Sequence, residues 1–449
     1  MTGERARADA RRRAIDLALL FTAKAAIGAY VLRAGFSHVS DDDYARVVIA
    51  QSFAHAPSLD PSGTSWLPFP FWLNGVAMML LGRSLDTARA IAFGLGVVSV
   101  TFPFAAMRAI GCGRATAFAA VLVAMALPWS AWLGVATVPE AMTACLIAAG
   151  AIATASDYAR TRLIGAACLF VAALSRYEAW PVCAVMAVAC AVAIAKRDEA
   201  RAQAGALLVA IAAPLAWMAW NAHAHGSPLH FVDRVAAYRQ AIGAASEPLA
   251  EKLATFPRAV LVTSPLVTAL AALGSVALFL DADVRARWTW PLVSAAAVLA
   301  FLAYGDARDG APTHHPERAV IPVLWILAAF AADSLRALAR RVAWARPARE
   351  MWVVGVSVAG FIAWSATLPA RWRDHPASSP DESRDAQVAR GLSLAPILAK
   401  GPPDARLAVT PCAYEHFALI AAFAAPERVD IAPSEHAPVT PGCPRVELR

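Results

Sequence analysis

Apolar residues gather in runs along this chain, all but one of about 17 to 22 residues and long enough to cross the hydrocarbon core of a bilayer as a helix; 162–175, with 14, is barely long enough. The runs lie at 15–36, 66–82, 89–107, 115–134, 139–156, 162–175, 179–195, 204–220, 259–280, 288–304, 318–335 and 350–368. Polar residues sit between them, and a largely polar, proline-rich tail follows after 368. The pattern predicts an all-α polytopic membrane protein with a small C-terminal appendage. In that appendage, "ARLAVTPCAYEHFALIAAFAAPERVDIAP" reads strand, helix, strand, an α/β unit short enough to lean on its neighbour for stability. The expected division is 1–368 for the membrane domain and 369–449 for an extracytoplasmic region.

Composition supports the membrane reading. Of 449 residues, 59% are hydrophobic and 16% charged, against roughly 25% charged in soluble domains. The formal charge of +7 comes from loop arginines, and no basic patch interleaved with aromatics points to nucleic acid. The opening "MTGERARADARRR" runs into the first apolar stretch with no small-residue cleavage site, so that stretch reads as an uncleaved span.

Arginine placement sets the topology. The cluster Arg5 to Arg13 should be cytoplasmic. If all twelve runs cross, "RALARRVAWARPARE" (Arg336, Arg340, Arg341, Arg346, Arg349), "KRDEAR" and "YARTR" fall outside. Removing one early crossing brings all three inside. The run to remove is 66–82, "WLPFPFWLNGVAMMLLG", which is short and opens on prolines and large aromatics suited to the headgroup layer. The expectation is eleven spans, N-terminus in and C-terminus out, with 66–82 along the outer interface.

That topology gathers the polar residues at the outer ends of the spans: Asp41, Asp42, Asp43, Glu140, Arg176, Tyr177, Glu178, His223, His225, His314, His315, Glu317 and Arg318. Three adjacent aspartates in "SDDDYARV" repel one another and are costly to bury. The following "YARVVIAQSFAHA" reads as a short amphipathic helix on the interface, with the carboxylates at its N-terminus where the helix dipole favours anions. A carboxylate there can act as a general base toward a hydroxyl, or ligate a divalent cation bridging a phosphate. Glu140, at the start of a run after Pro139, is either a second acid of the same cavity or a complement to the helix dipole. In "SRYEAWP", Arg176 and Glu178 pair with each other or present the guanidinium to a phosphate. Arg318, ahead of Pro322, is either a phosphate ligand or an anchor to lipid headgroups. Lys24, inside the first run, either snorkels or meets a phosphate from within the bilayer.

Other chemistries have little support. His314 and His315 are adjacent and cannot share a helix face as the H-x-x-x-H metal pattern requires. No phosphate-cradling Gly-rich loop, G-x-S-x-G elbow or CxxC pair occurs. Cys112, Cys145, Cys168, Cys183 and Cys190 lie in or beside apolar runs as packing residues. Cys412 and Cys443 lie in the polar tail, where a pairing stays open.

The acidic "DDDYARVVIAQSFA" after the first span, the interfacial "SWLPFPFWL", the acid at the next outer loop and "HHPERAVIP" before a late span together resemble the GT-C superfamily of integral-membrane glycosyltransferases. The nearer branch is that of protein O-mannosyltransferases and lipid A aminoarabinose transferases. The resemblance covers roughly residues 15 to 335, with Asp where that branch has Glu in its acidic pair and Glu140 where relatives usually carry Asp. It implies sugar transfer from a polyprenyl-phosphate-linked donor, the co-substrate, to an extracytoplasmic glycan, lipid or protein acceptor, with no tightly bound cofactor. It makes Asp42 the catalytic acid, with Asp41 and Asp43 as close rivals, and Glu140 the second acid. Arg176, Arg318 and Lys24 would hold the donor phosphate. Tyr44, Trp66, Tyr177, Glu178, His314, His315 and Glu317 would line the cavity, and any divalent metal would sit on Asp42 and Glu140. The alternative is a multi-span transporter or lipid-linked-glycan flippase, which should show internal repeats and broken helices near the midplane.

Overall fold

The computed structural model describes residues 2–196, 199–241, 248–308, 315–343, 364–375, 382–402, 404–410, 416–431 and 445–448. The run 350–368 lies mostly outside these residues, as do His314, Cys412 and Cys443.

The chain opens with α1 (Thr2–Arg33), then α2 (Asp42–His55), α3 (Phe69–Leu81), α4 (Leu85–Val98) and α5 (Thr101–Ala109). Next come α6 (Arg114–Ala126), α7 (Pro128–Leu133), α8 (Glu140–Ala153), α9 (Ala159–Ala173), α10 (Ala179–Ala195), α11 (Ala200–His225) and α12 (His230–Ala241). The second half adds α13 (Leu249–Thr263), α14 (Pro265–Gly274), α15 (Val276–Leu280), α16 (Ala282–Ala307) and α17 (Glu317–Ala343). The C-terminal region holds α18 (Glu382–Lys400), β1 (Leu407–Thr410), α19 (His416–Phe423), β2 (Val429–Ile431) and β3 (Arg445–Leu448).

Among the described residues, five helical stretches are long and apolar enough to cross a membrane: Ala10–Arg33, Leu85–Ala109, Ala200–His225, Ala282–Ala307 and Glu317–Arg341. The pair α13 and α14–α15 makes a sixth if its 97° bend is one broken span. The expected count of eleven is therefore not reached by helix length. The reason is local: several apolar runs are interrupted where the sequence forces a break. Run 115–134 breaks at Leu127, which is extended (ψ 139°) ahead of Pro128, as the residue before proline prefers. Run 259–280 breaks at Ser264–Pro265 in the same way.

The early end of the six-residue α7, where the Gly134 N–H turns to the Trp132 carbonyl, explains Lys24. Helix interruption inside an apolar interior frees carbonyls that must find donors, and the buried Lys24 ammonium donates to the Ser130 carbonyl at 2.6 Å. Trp325 Nε1 donates to Ser130 Oγ at 3.2 Å. The backbone approaches closely here, since a Cβ at Gly96 would collide with the Gly134 carbonyl.

At the centre is α17, 83% buried across its most apolar window and packed against α6, α8, α13, α14 and α16. Alanine-rich α8 and α9 meet through Gly150 and Gly165, where added Cβ atoms would run into Leu169 and Ala153. Small residues let apolar helices pack closely where hydrophobic burial gives no drive between them.

Helix α2 does not float on an interface as its amphipathic pattern suggests. It is covered by α3 on one side and by α19 on another. Phe53 fits the space left by Gly75, while Tyr44, Val47 and Ala50 pack with Ala418, Ala421 and Ala422. The sheet is three-stranded in the order β2-β1-β3, with β1 parallel to β2 and antiparallel to β3. Leu407 and Val409 of β1 bury against Leu419, Ile420 and Phe423. Gln51 fastens this unit to α2 by donating to the Ala421 and Arg83 carbonyls at 2.8 Å each, and Arg83 holds Glu427 through two hydrogen bonds of 2.8 Å.

Candidate active site

The three aspartates have three different surroundings. Asp41 accepts two hydrogen bonds from Arg384, at 3.0 and 2.8 Å, and so tethers α18 to the start of α2. Asp43 is 2% exposed. It accepts from the backbone N–H of Val39 and Ser40 and from both the N–H and the hydroxyl of Thr137, at 3.0 to 3.3 Å. It joins the loop before α2 to the segment before α8, and both its oxygens are occupied. Asp42 has a side chain 41% exposed and meets Arg318 Nη1 at 3.2 Å. It alone of the three combines an open face with a cationic partner inside the bundle.

Behind Asp42 lies a chain of alternating charge. Arg318, on the first turn of α17, donates from Nε and Nη2 to Glu140 Oε1 at 2.9 and 2.6 Å, and from Nη1 to Ser40 Oγ at 3.2 Å. Arg176 Nη1 donates to the same Glu140 oxygen, and its other nitrogens hold Glu178. Glu140 is 2% exposed, and its Oε2 has no hydrogen-bond partner among the described residues. A buried carboxylate is tolerated only when paired, and two guanidinium groups share this one. Burial disfavours the Arg176 cation, but Glu178 and Glu140 outweigh it and hold the guanidinium above its ordinary value.

One participant escaped the sequence reading. Arg46, one turn past Asp42 on the same helix face, is 8% exposed. Its guanidinium lies 4.3 Å above the Trp66 ring centre and 5.7 Å from that of Phe71, within cation–π range. Its Nε and Nη1 have no hydrogen-bond partner among the described residues. Burial pushes its pKa down to about 10, against the upward pull of Glu140 and Asp42, so it stays charged at neutral pH. The i,i+4 spacing of Asp42 and Arg46 was the available signal.

The remaining expected residues divide. Glu178 and Trp66 belong to this cluster through Arg176 and Arg46. Tyr177 stacks on Phe231 with ring centres 4.1 Å apart. His315 has a left-handed backbone (φ 57°) and lies 5.6 Å from the Trp129 ring, two residues ahead of Glu317 and three ahead of Arg318. Tyr44 is 1% exposed, in the core shared with α19 rather than on an open cavity, and burial pushes its hydroxyl up to about 12. Lys24 is engaged with the Ser130 carbonyl of α7. No group of three or more His, Cys, Asp or Glu side chains among the described residues is arranged to hold a metal. The site does not fit a cation on Asp42 and Glu140, because two arginines already neutralise Glu140 and one of them also meets Asp42.

No family model matches the chain, and no curated protein matches it by sequence. Solved structures do match. The chain is similar to ArnT from Cupriavidus metallidurans, solved bound to undecaprenyl phosphate, with a TM-score of 0.53 and 17% identity over 92% of this chain and 88% of that one. The chain shares its fold with that protein. The chain is also similar to the Archaeoglobus fulgidus oligosaccharyltransferase, solved in complex with Zn and sulfate, with a TM-score of 0.54 and 12% identity over 91% of this chain. It spans 62% of that longer protein. At these identities the shared property is the fold alone.

Proposed function

We propose that the chain is a glycosyltransferase that moves a sugar from a polyprenyl-phosphate-linked donor to an extracytoplasmic acceptor, with Asp42 as general base. The observation that carries this reading is the open Asp42 carboxylate paired with Arg318, in the field of Arg46 and Arg176, of which Arg46 keeps free N–H donors. Its setting in a GT-C fold adds weight, since the ArnT structure of that fold binds undecaprenyl phosphate.

Asp42 takes the proton of the acceptor hydroxyl, and the oxygen attacks the anomeric carbon. The bond from that carbon to the lipid-phosphate oxygen breaks, and the phosphate leaves with its electron pair. Arg46, with Arg318 behind it, faces the charge that develops on the leaving group, where oriented donors in a water-poor site act most strongly. Arg176 holds Glu140 in place and serves the phosphate indirectly. Each donor is delivered by lateral diffusion, so its phosphate sits at headgroup depth, where the N-terminus of α17 would lie.

The same proposal sets the N-terminus in the cytoplasm of a bacterial-type inner membrane and the site on the outer face. It divides the chain at 368, keeps eleven crossings, and lays 66–82 along the outer interface. With thirteen residues, α3 rises about 20 Å, short of the roughly 30 Å hydrocarbon core.

Transfer of labelled sugar from polyprenyl-phosphate donors in membranes tests the proposal. Wild type should transfer, Asp42→Asn should lose about 10²- to 10⁴-fold in rate at normal expression, and Asp41→Asn should keep most of its activity. Full activity in Asp42→Asn would remove that residue as base. Absence of transfer from every donor in wild type would move the weight to a transporter.

A further inference from the structure

The other end of α17 carries a second charged cavity, separate from the carboxylate site. It has a volume of about 600 Å³ and is lined by Arg287, Arg336, Arg340 and Arg341 together with Asp281, Asp283 and Asp333. A space of this size is within the range that holds small ligands.

Two of the three acids here are already engaged, and the third, Asp283, is exposed on the first turn of α16. Asp333, 4% exposed, accepts from Arg287 Nε and Trp288 Nε1 at 3.0 Å each. Asp281 caps α16 by accepting from the backbone N–H of Asp283 and Val284, and Arg341 reaches it only at 4.0 Å. The arginines are less well matched. Arg336 spends one nitrogen on the Thr116 hydroxyl at 3.0 Å, and its guanidinium lies over Gly113, where a Cβ would displace it. Arg340 is exposed and lacks a carboxylate within ion-pair distance among the described residues. Arg336 and Arg340 are four residues apart on one helix face, a like-charge spacing that is itself unfavourable. An anion between them removes that repulsion.

Depth identifies the anion. From Arg318 to Arg336 the helix rises about 27 Å, close to the thickness of a hydrocarbon core of roughly 30 Å. The cavity therefore lies at headgroup level in the leaflet opposite the carboxylate site. We propose that it binds the phosphate of an anionic membrane lipid, with Arg336 and Arg340 as its ligands and Arg287, fixed by Asp333, as the wall behind. This site does not depend on the glycosyltransferase reading.

The test is native mass spectrometry and thermal unfolding of the full chain in neutral detergent, with phosphatidylglycerol, phosphatidylcholine or inorganic phosphate added. Wild type should retain phosphatidylglycerol in preference to phosphatidylcholine and unfold at a higher temperature with it. Arg340→Gln should weaken that binding about fivefold, and Arg336→Gln with Arg340→Gln about 25-fold, from the usual worth of one cation at an anionic surface. Arg340→Gln removes an exposed side chain, so its fold should be intact, and an unchanged melting temperature without lipid checks this. Equal retention of the two lipids by wild type, or wild-type retention of phosphatidylglycerol by the double variant, would overturn the proposal. Stabilisation by inorganic phosphate without retention of the lipid would overturn it too, and would assign the cavity to a soluble phosphate.

Discussion

The two ends of α17 both bury a carboxylate against arginine, yet they are built differently. At the Arg318 end, the partners come from α2, α8, the α9–α10 turn and α17, separated by as many as 276 residues. One carboxylate oxygen of Glu140 serves two guanidinium groups, the other has no partner, and Asp42 stays open. At the Asp333 end, the carboxylate is matched by the neighbouring helix α16, through Arg287 and Trp288, with the Cys112 thiol also against it. The second arrangement is what helix packing needs. The first holds more cation than packing needs and leaves donors without acceptors, which buried polar groups in a purely structural setting seldom do.

Breaking the first end should have the largest effect. Glu140→Ala strands two largely buried arginines and should destabilise the protein by about 3–5 kcal/mol, read as a lower melting temperature and lost expression. Glu140→Gln should be milder, because its amide oxygen still accepts. Arg46→Gln should lower kcat by about 10²-fold with a smaller change in the donor KM, since its free N–H groups face charge that develops only as the phosphate leaves; an unchanged kcat would remove it from the leaving group. At the other end, Asp333→Asn should cost about 1–3 kcal/mol and leave transfer within a fewfold of wild type.

The smallest effect concerns the C-terminal unit. Burial alone would raise the Glu427 pKa, but the hydrogen bonds from Arg83 outweigh it and hold it below the ordinary 4.5. A depressed carboxylate contributes stability above its unfolded value and loses it as the pH falls through the folded one. Docking of this unit should therefore be constant from neutrality down to about pH 5 and weaken below roughly 4.5. For a pair this exposed, Glu427→Gln should remove no more than about 1 kcal/mol. Limited proteolysis between the membrane domain and α18, followed against pH, reads it.

Apolar run length located many of the helices. Run 179–195 coincides with Ala179–Ala195, and run 318–335 opens one residue inside Glu317–Ala343. Run length could not see the breaks at Leu127 and Ser264, because the apolar residues continue through them and only the following proline marks the place. The strand, helix, strand order of the tail was also legible from its alternation. Within the site, Asp42, Glu140, Arg176 and Arg318 do meet. The separate duties of Asp41 and Asp43 were invisible, since Arg384 and Thr137 are distant in sequence and reach them only through the fold. Lys24 was the opposite case: a charge inside an apolar run suggested a ligand, and a broken helix elsewhere turned out to need it.

The most direct test of the contrast between the two ends is the single-turnover rate of sugar transfer from a labelled polyprenyl-phosphate donor, measured side by side in Asp42→Asn and Asp333→Asn at matched membrane levels. Asp42→Asn should lose about 10²-fold or more, and Asp333→Asn should stay near the wild-type rate. Equal rates in the two variants would contradict that contrast.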